Sequence, residues 1–303
     1  MFVVTLDKPR AGTLPAENIE ALLANTAYRA VRLLGRGRTG EVHVVEHQFL
    51  GRQFALKVLR SHLASDPQFS DRMRVEAQAA ARLQHPNIVE MVDFWISARG
   101  TPCVVMELLE GTTLADELAT RGRLPASEAI DLAEQALSGL AAAHALGVVH
   151  RDVTPDNLFL QNRAGFSRTL KILDFGLARI LPTASGQAPD PLAVPTKTGA
   201  LLGSPRFMSP EAALGQRVDQ RADLFSLGVV LYVMLTGHGP HDRQAQHVAP
   251  PSRYGGEEIG SQLDLVVLRA IDERIDARYQ AADVFLSDLR RLSRRSKPPG
   301  ARR

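Results

Sequence analysis

The stretch His150-Arg151-Asp152-Val153-Thr154-Pro155-Asp156-Asn157, with Asp174-Phe175-Gly176 beginning seventeen residues past Asn157, decides how this chain is read. The first segment follows a helical pattern over Ser127 to Leu146 that stops at Gly147, a C-cap signal. The second follows a strand-like run ending in Ile172-Leu173. Grouping His, Arg, Asp and Asn between apolar stretches is costly unless those groups serve chemistry. Asp152, Asn157 and Asp174 together offer one acceptor for a hydroxyl proton and two oxygen ligands for a hard divalent cation.

Working towards the N-terminus, Gly35-Arg-Gly37-Arg-Thr-Gly40-Glu-Val42 is a glycine triplet. Glycine triplets also open dinucleotide folds, where a helix follows. Here Glu41-Val-His-Val-Val continues as a strand, so the pattern predicts a turn between two strands whose backbone N–H groups can approach phosphates. Lys57 lies fifteen residues past Val42 in the apolar strand pattern Phe54-Ala55-Leu56-Lys57-Val58. Only five of the chain's 36 basic residues are lysines, so a lysine in an apolar strand stands out. Such an ammonium needs an anion, and Glu76, in a helical pattern over Ser70 to Gln84, can supply it. A lysine pinned by a carboxylate can hold nucleotide phosphates.

These motifs, in this order, resemble the eukaryotic-type protein kinases of the bacterial Ser/Thr branch, over roughly residues 28–292. Met208-Ser209-Pro210-Glu211 resembles the motif closing the activation segment. Asp219 to Gly228 resembles the helix that follows, and Arg278 resembles the arginine pairing with the glutamate, here Glu211. The resemblance implies an α+β, two-lobed kinase fold, with a small β-rich N-lobe holding one main helix and a larger, mostly helical C-lobe. It also implies ATP as phosphoryl donor, with Mg²⁺ (or Mn²⁺). Gly35, Gly37 and Gly40 would then cover the phosphates, with Val42 and Ala55 over the adenine and Phe159 beneath it. Met106 would be the gatekeeper, and Glu107 and Leu109 would offer backbone hydrogen bonds. Lys57 would bind phosphates and pair with Glu76; Asp152 would orient the substrate hydroxyl and take its proton; Asn157 and Asp174 would hold the metal. The catalytic set is complete, which favours an active enzyme over a nucleotide-binding scaffold. The complete activation segment favours protein substrates over small molecules.

Composition bounds the rest. The chain has 303 residues, 45% apolar and 23% charged, the profile of a folded globular protein. The expected division is an N-terminal extension (1–27), an N-lobe (28–109), a C-lobe (110–292) and a basic tail (293–303). Net charge is +3, but seven basic residues crowd the last fourteen positions, so the body is near neutral and no nucleic acid is expected. Cys103 alone excludes an intrachain disulfide and a cysteine metal cage, and its place in a strand pattern indicates packing. The longest apolar run, Leu224 to Leu235, is too short to span a bilayer, and no secretory signal opens the chain. A cytoplasmic protein without a transmembrane segment is expected.

Two features depart from the family pattern. Thr154 stands where Ser/Thr kinases usually carry a lysine that touches the γ-phosphate, which predicts a slower enzyme. The stretch from Pro240 to Ile259 is short where relatives carry a docking helix. Gly203-Ser204-Pro205 resembles the Ser/Thr-specific pattern, and Thr196 and Thr198 are the expected autophosphorylation sites, modified by a second copy in trans. His43, His47, His144 and His150 are expected to be structural or solvent-facing.

Overall fold

The computed structural model describes residues 18–37, 40–59, 78–98, 100–162, 168–175, 205–240, 248–255 and 259–295. The chain divides into two compact units, one of residues 1–84 and 89–112, the other of residues 85–88 and 113–303.

In the first unit, β1 (Tyr28–Arg36), β2 (Gly40–His47), β3 (Arg52–Leu59), β4 (Met91–Ile96) and β5 (Pro102–Glu107) form an antiparallel sheet in the order β1-β2-β3-β5-β4. Side chains alternate across a strand, and the registers sort them into two faces. Val45, Phe54, Leu56, Cys103 and Val105 pack with Tyr28 and with Leu22 and Leu23 of the short helix α1 (Ile19–Leu23). Asn18 starts that helix by accepting the Glu20 N–H at 3.1 Å. Cys103 is fully buried there as a packing residue. Most of the sequence-predicted helix over 70–84, with Glu76, lies outside the described residues.

In the sequence Ile88 to Trp95 carries a strand pattern, but the strand itself begins only at Met91. Ile88 instead bridges Ile172 in parallel, because Asn87 ties this segment to the second unit. The short β6 (Gly111–Thr113) spans the boundary, and the second unit continues through α2 (Leu114–Arg121), α3 (Ala126–Ala145), the hairpin of β7 (Leu158–Gln161) and β8 (Thr169–Ile172), and α4 (Pro210–Ala213). It ends with α5 (Gln220–Thr236), α6 (Ser252–Gly255), α7 (Ser261–Ala270) and α8 (Ala282–Arg295). Every residue of α5 from Ala222 to Thr236 is buried, so this helix, apolar all round, is the centre of the unit. α3 packs on α5 and α8, and α7 packs on α5. Among the described residues no helix is long and apolar enough to cross a membrane.

Candidate active site

In the first unit, Val42 faces Lys57 across the β2–β3 ladder, while Ala55 and Lys57 face Met106 and Val104 across β3–β5. Val42, Ala55, Lys57, Val104 and Met106 thus share the face opposite the one that packs on α1. Lys57 is only 6% exposed. Gly35 pairs with Val42, and Gly37 N–H donates to Gly40 O at 2.8 Å, closing the turn. A Cβ on Gly40 would lie 2.0 Å from Val58 O, so only glycine fits where the turn meets β3. Glu107 N–H donates to Glu90 O at 3.0 Å, and Glu107 Oε1 accepts from Glu90 N–H. Leu109 follows, half-buried.

In the second unit, the loop at 150–157 hangs on one buried carboxylate. Asp223, in the first turn of α5 and fully buried, accepts Arg151 N–H on Oδ1 at 2.7 Å and His150 N–H on Oδ2 at 2.8 Å. His144 at the end of α3 lies with Nε2 2.8 Å from the same Oδ2. An ionised carboxylate only accepts, so Nε2 carries the proton. These bonds hold Arg151 at φ 67°, a left-handed conformation that an arginine rarely adopts. His150 is fixed from both sides: Nδ1 accepts Asp152 N–H at 3.2 Å, and Nε2 donates to Leu173 O at 2.6 Å. Its ring meets Phe175 edge-on at 4.7 Å.

Asn157 Nδ2 donates to Asp152 O at 2.8 Å and to Asp152 Oδ2 at 3.0 Å. Both partners are acceptors, which settles the orientation of the amide and turns Oδ1 away from Asp152. Leu173 N–H donates to Asn157 O at 2.8 Å, so the residue before Asp174 is tied to Asn157. Asp174 itself is left-handed, at φ 59°. An amide oxygen and a carboxylate are hard donors that fit a magnesium ion. Among the described residues no three His, Cys, Asp or Glu side chains cluster to hold a metal by themselves. Phe159 is 3% exposed, on β7, and Thr154 is 5% exposed.

The segment beyond the activation loop is anchored by a buried ion pair. Arg278 Nη1 and Nη2 each lie 2.9 Å from Glu211 Oε1 and Oε2, and the guanidinium stacks over Phe225 at 4.6 Å. Burial works to raise the Glu211 carboxyl, but the Arg278 guanidinium overrides it and holds the group below the usual carboxylate range. Glu76, Gly176, Thr196, Thr198 and Ser204 lie outside the described residues. Two functional contacts were not read from the sequence, the His144–Asp223 pair and the left-handed Arg151. The available signal for the first was a lone polar residue on the apolar end of α3.

A glycine turn beside a buried strand lysine in one unit, and an Asp-Asn loop wired to an Asp-Phe sequence in the other, define a protein kinase fold. The chain belongs to the protein kinase family: the protein kinase domain model matches residues 28–257. It is 37% identical over 290 residues to the serine/threonine-protein kinase Pkn1 of Myxococcus xanthus, covering 90% of this chain and 40% of the relative. It is 38% identical over 287 residues to the serine/threonine-protein kinase PknB of Mycobacterium leprae, covering 90% and 44%. The chain thus spans about two fifths of the length of these curated relatives. Among solved structures it is similar to the Mycobacterium tuberculosis PknI kinase domain, with TM-score 0.68 and 28% identity over 88% of this chain and 96% of that one.

Proposed function

We propose that this chain transfers the γ-phosphoryl group of ATP to Ser and Thr hydroxyls of proteins. The observation that carries this is the Asp152 carboxylate, fixed by Asn157 Nδ2 at 3.0 Å in a loop pinned by Asp223. Asp152 orients the acceptor hydroxyl and takes its proton as the new O–P bond forms and ADP leaves with the electron pair of the broken P–O bond. Lys57 holds the α- and β-phosphates, and the turn from Gly35 to Gly40, with Gly37 between, covers them. Val42 and Ala55 pack over the adenine, with Met106 behind it and Phe159 beneath. The Glu107 carbonyl and the Leu109 N–H take up the purine edge. Asn157 and Asp174 hold Mg²⁺, which neutralises phosphate charge when bound. Glu76 pairs with Lys57.

The Ser/Thr choice rests on Gly203-Ser204, and activation on phosphorylation of Thr196 or Thr198 by a second copy. ATP as co-substrate puts the reaction in the cytoplasm. Thr154 lowers the rate by about one to two powers of ten, roughly 1.4–2.7 kcal/mol of barrier.

The test is intact mass and phosphosite mapping after incubation with Mg·ATP, beside Asp152→Asn. Phosphate gained by the wild type alone, mapped to Thr196 or Thr198, is the expected result. No gain while ATP still binds overturns the reading in favour of a nucleotide-binding scaffold, the alternative that Thr154 favours.

A further inference from the structure

β8 leads directly into Leu173 and Asp174, yet its backbone groups on one side are not met by another strand. They are met by the segment 85–88 and by one side chain of α3. Gln135 Oε1 accepts Leu170 N–H at 2.8 Å and Asn87 Nδ2 at 3.1 Å. Asn87 Nδ2 also donates to Leu170 O at 2.9 Å, and Asn87 O accepts Ile172 N–H at 2.8 Å. Gln135 Nε2 donates to Asp131 Oδ2 at 2.9 Å and to Arg168 O at 3.3 Å, which fixes the orientation of its amide. Asn87 is itself buried, so an unmet donor there would be costly.

A second latch lies one turn along α3. His85 Nδ1 accepts Asn87 N–H at 3.1 Å, leaving Nε2 to donate to Ser138 Oγ at 3.2 Å. Burial, then the Lys171 charge, hold His85 below its usual pKa, which keeps the ring in this neutral arrangement. Next to Ser138, Gly139 lets α3 approach: a Cβ there would lie 2.9 Å from Ile172 Cδ1 and 3.2 Å from Asn87 O. Lys171 Nζ donates to Ile88 O at 3.3 Å, closing the other end of the segment.

We infer that Gln135, through Asn87, is a positioning residue for the metal-binding Asp174, an inference that rests on the kinase reading above. The chain of contacts is short. Gln135 and Asn87 hold Leu170 and Ile172, and Leu173 N–H is bonded to Asn157 O. The strand is therefore fixed on both sides just before Asp174 turns left-handed. A left-handed aspartate relaxes unless its flanks are held. Loosening β8 lets Asp174 depart from Asn157, and metal affinity falls before peptide binding does.

The test compares Gln135→Met, which keeps the shape and loses the acceptor, with the pair Gln135→Glu and Asp131→Asn. That pair restores an acceptor for Leu170 and a hydrogen bond between positions 131 and 135, and gives up only the longer, 3.3 Å bond to Arg168 O. Amide exchange in the full chain should be about ten-fold faster at Leu170 and Ile172 in Gln135→Met, the loss of roughly one hydrogen bond, and recover in the double variant. Affinity for Mn²⁺ with a non-hydrolysable ATP analogue should fall about ten-fold and recover likewise, with the peptide KM unmoved. Unchanged exchange overturns the inference. Faster exchange with undiminished metal affinity also overturns it, reducing Gln135 to a structural role. Wild type that binds Mn²⁺ but transfers no phosphate overturns the kinase reading, while the metal-affinity ratio still decides the inference. Wild type that binds no Mn²⁺ overturns both.

Discussion

Asp223→Asn is the sharpest test of how the catalytic loop is held, because it keeps the shape of the side chain and changes one acceptor into a donor. The carboxylate takes three hydrogen bonds within 2.7–2.8 Å, from Arg151 N–H, His150 N–H and His144 Nε2. An asparagine can direct its oxygen to only one side. With that oxygen on Arg151 N–H, the amide nitrogen faces His150 N–H and His144. His144 can accept by changing tautomer, but His150 N–H is left opposite another donor. An orphaned buried donor costs about 1–3 kcal/mol, and each remaining bond loses its charge assistance, about 1 kcal/mol apiece. The sum is about 3–5 kcal/mol, a fall of roughly 6–20 °C in Tm for a unit of this size.

The second consequence is catalytic. Arg151 sits at φ 67° only because its neighbours over-determine it, and Asp152 is the next residue. Relaxation there displaces the carboxylate, and a 1 Å displacement is worth about 100-fold in kcat. Thermal unfolding and steady-state phosphorylation of a Ser peptide, measured below the new Tm, separate the two effects. A variant with wild-type Tm and kcat would show that Asp223 does not hold the loop, and the reasoning would be wrong.

Three further outcomes are expected. Glu211→Gln leaves the Arg278 guanidinium, 1% exposed, without its counter-charge, so urea unfolding at pH 7 should show a loss of about 3–5 kcal/mol. Because folding holds the Glu211 carboxyl below its usual range, its contribution is present above the unfolded value and is lost as pH falls through the folded one. The variant should therefore lose less on acidification, and an unaltered acid limb would contradict the assignment. Gly40→Ala drives a Cβ to within 2.0 Å of Val58 O, so it should cost about 1–3 kcal/mol and shrink the ATP-induced shift in Tm; an unchanged shift would remove Gly40 from the phosphate turn. Thr154→Lys should raise kcat about ten-fold or more at unchanged ATP KM, and no gain would mean the chain functions without that cation.

Much of the fold was legible because it rests on period. The strand-like run Phe54 to Val58 placed Lys57 in a strand, and the structure has it in β3. The 3.6 spacing of α3 and its Gly147 stop were read to within a residue or two. The error at Ile88 has a physical cause. Ile88-Val89 is apolar enough to look like the start of a strand, but the hydrogen bonds of the preceding Asn87 bind this segment to β8 and α3. Sequence spacing says nothing about a partner 48 or 83 residues away.

The site was legible as a set of residues and opaque as a mechanism of support. Motif order named Asp152, Asn157 and Asp174, since each must be a carboxylate or amide for its chemistry. What holds them is side chain to backbone: Asp223 to the N–H groups of residues 150 and 151, His150 to Leu173 O, Asn157 to Asp152 O. A backbone N–H is the same for nearly every residue, so such bonds impose no pattern on the residue they hold. They constrain only the donor or acceptor, and Asp223, His144 and Gln135 then read as lone polar residues in helices. The same asymmetry explains why two left-handed residues flank this site. A residue held by its backbone can be placed in a conformation its own side chain disfavours, and Arg151 and Asp174 are held in that way.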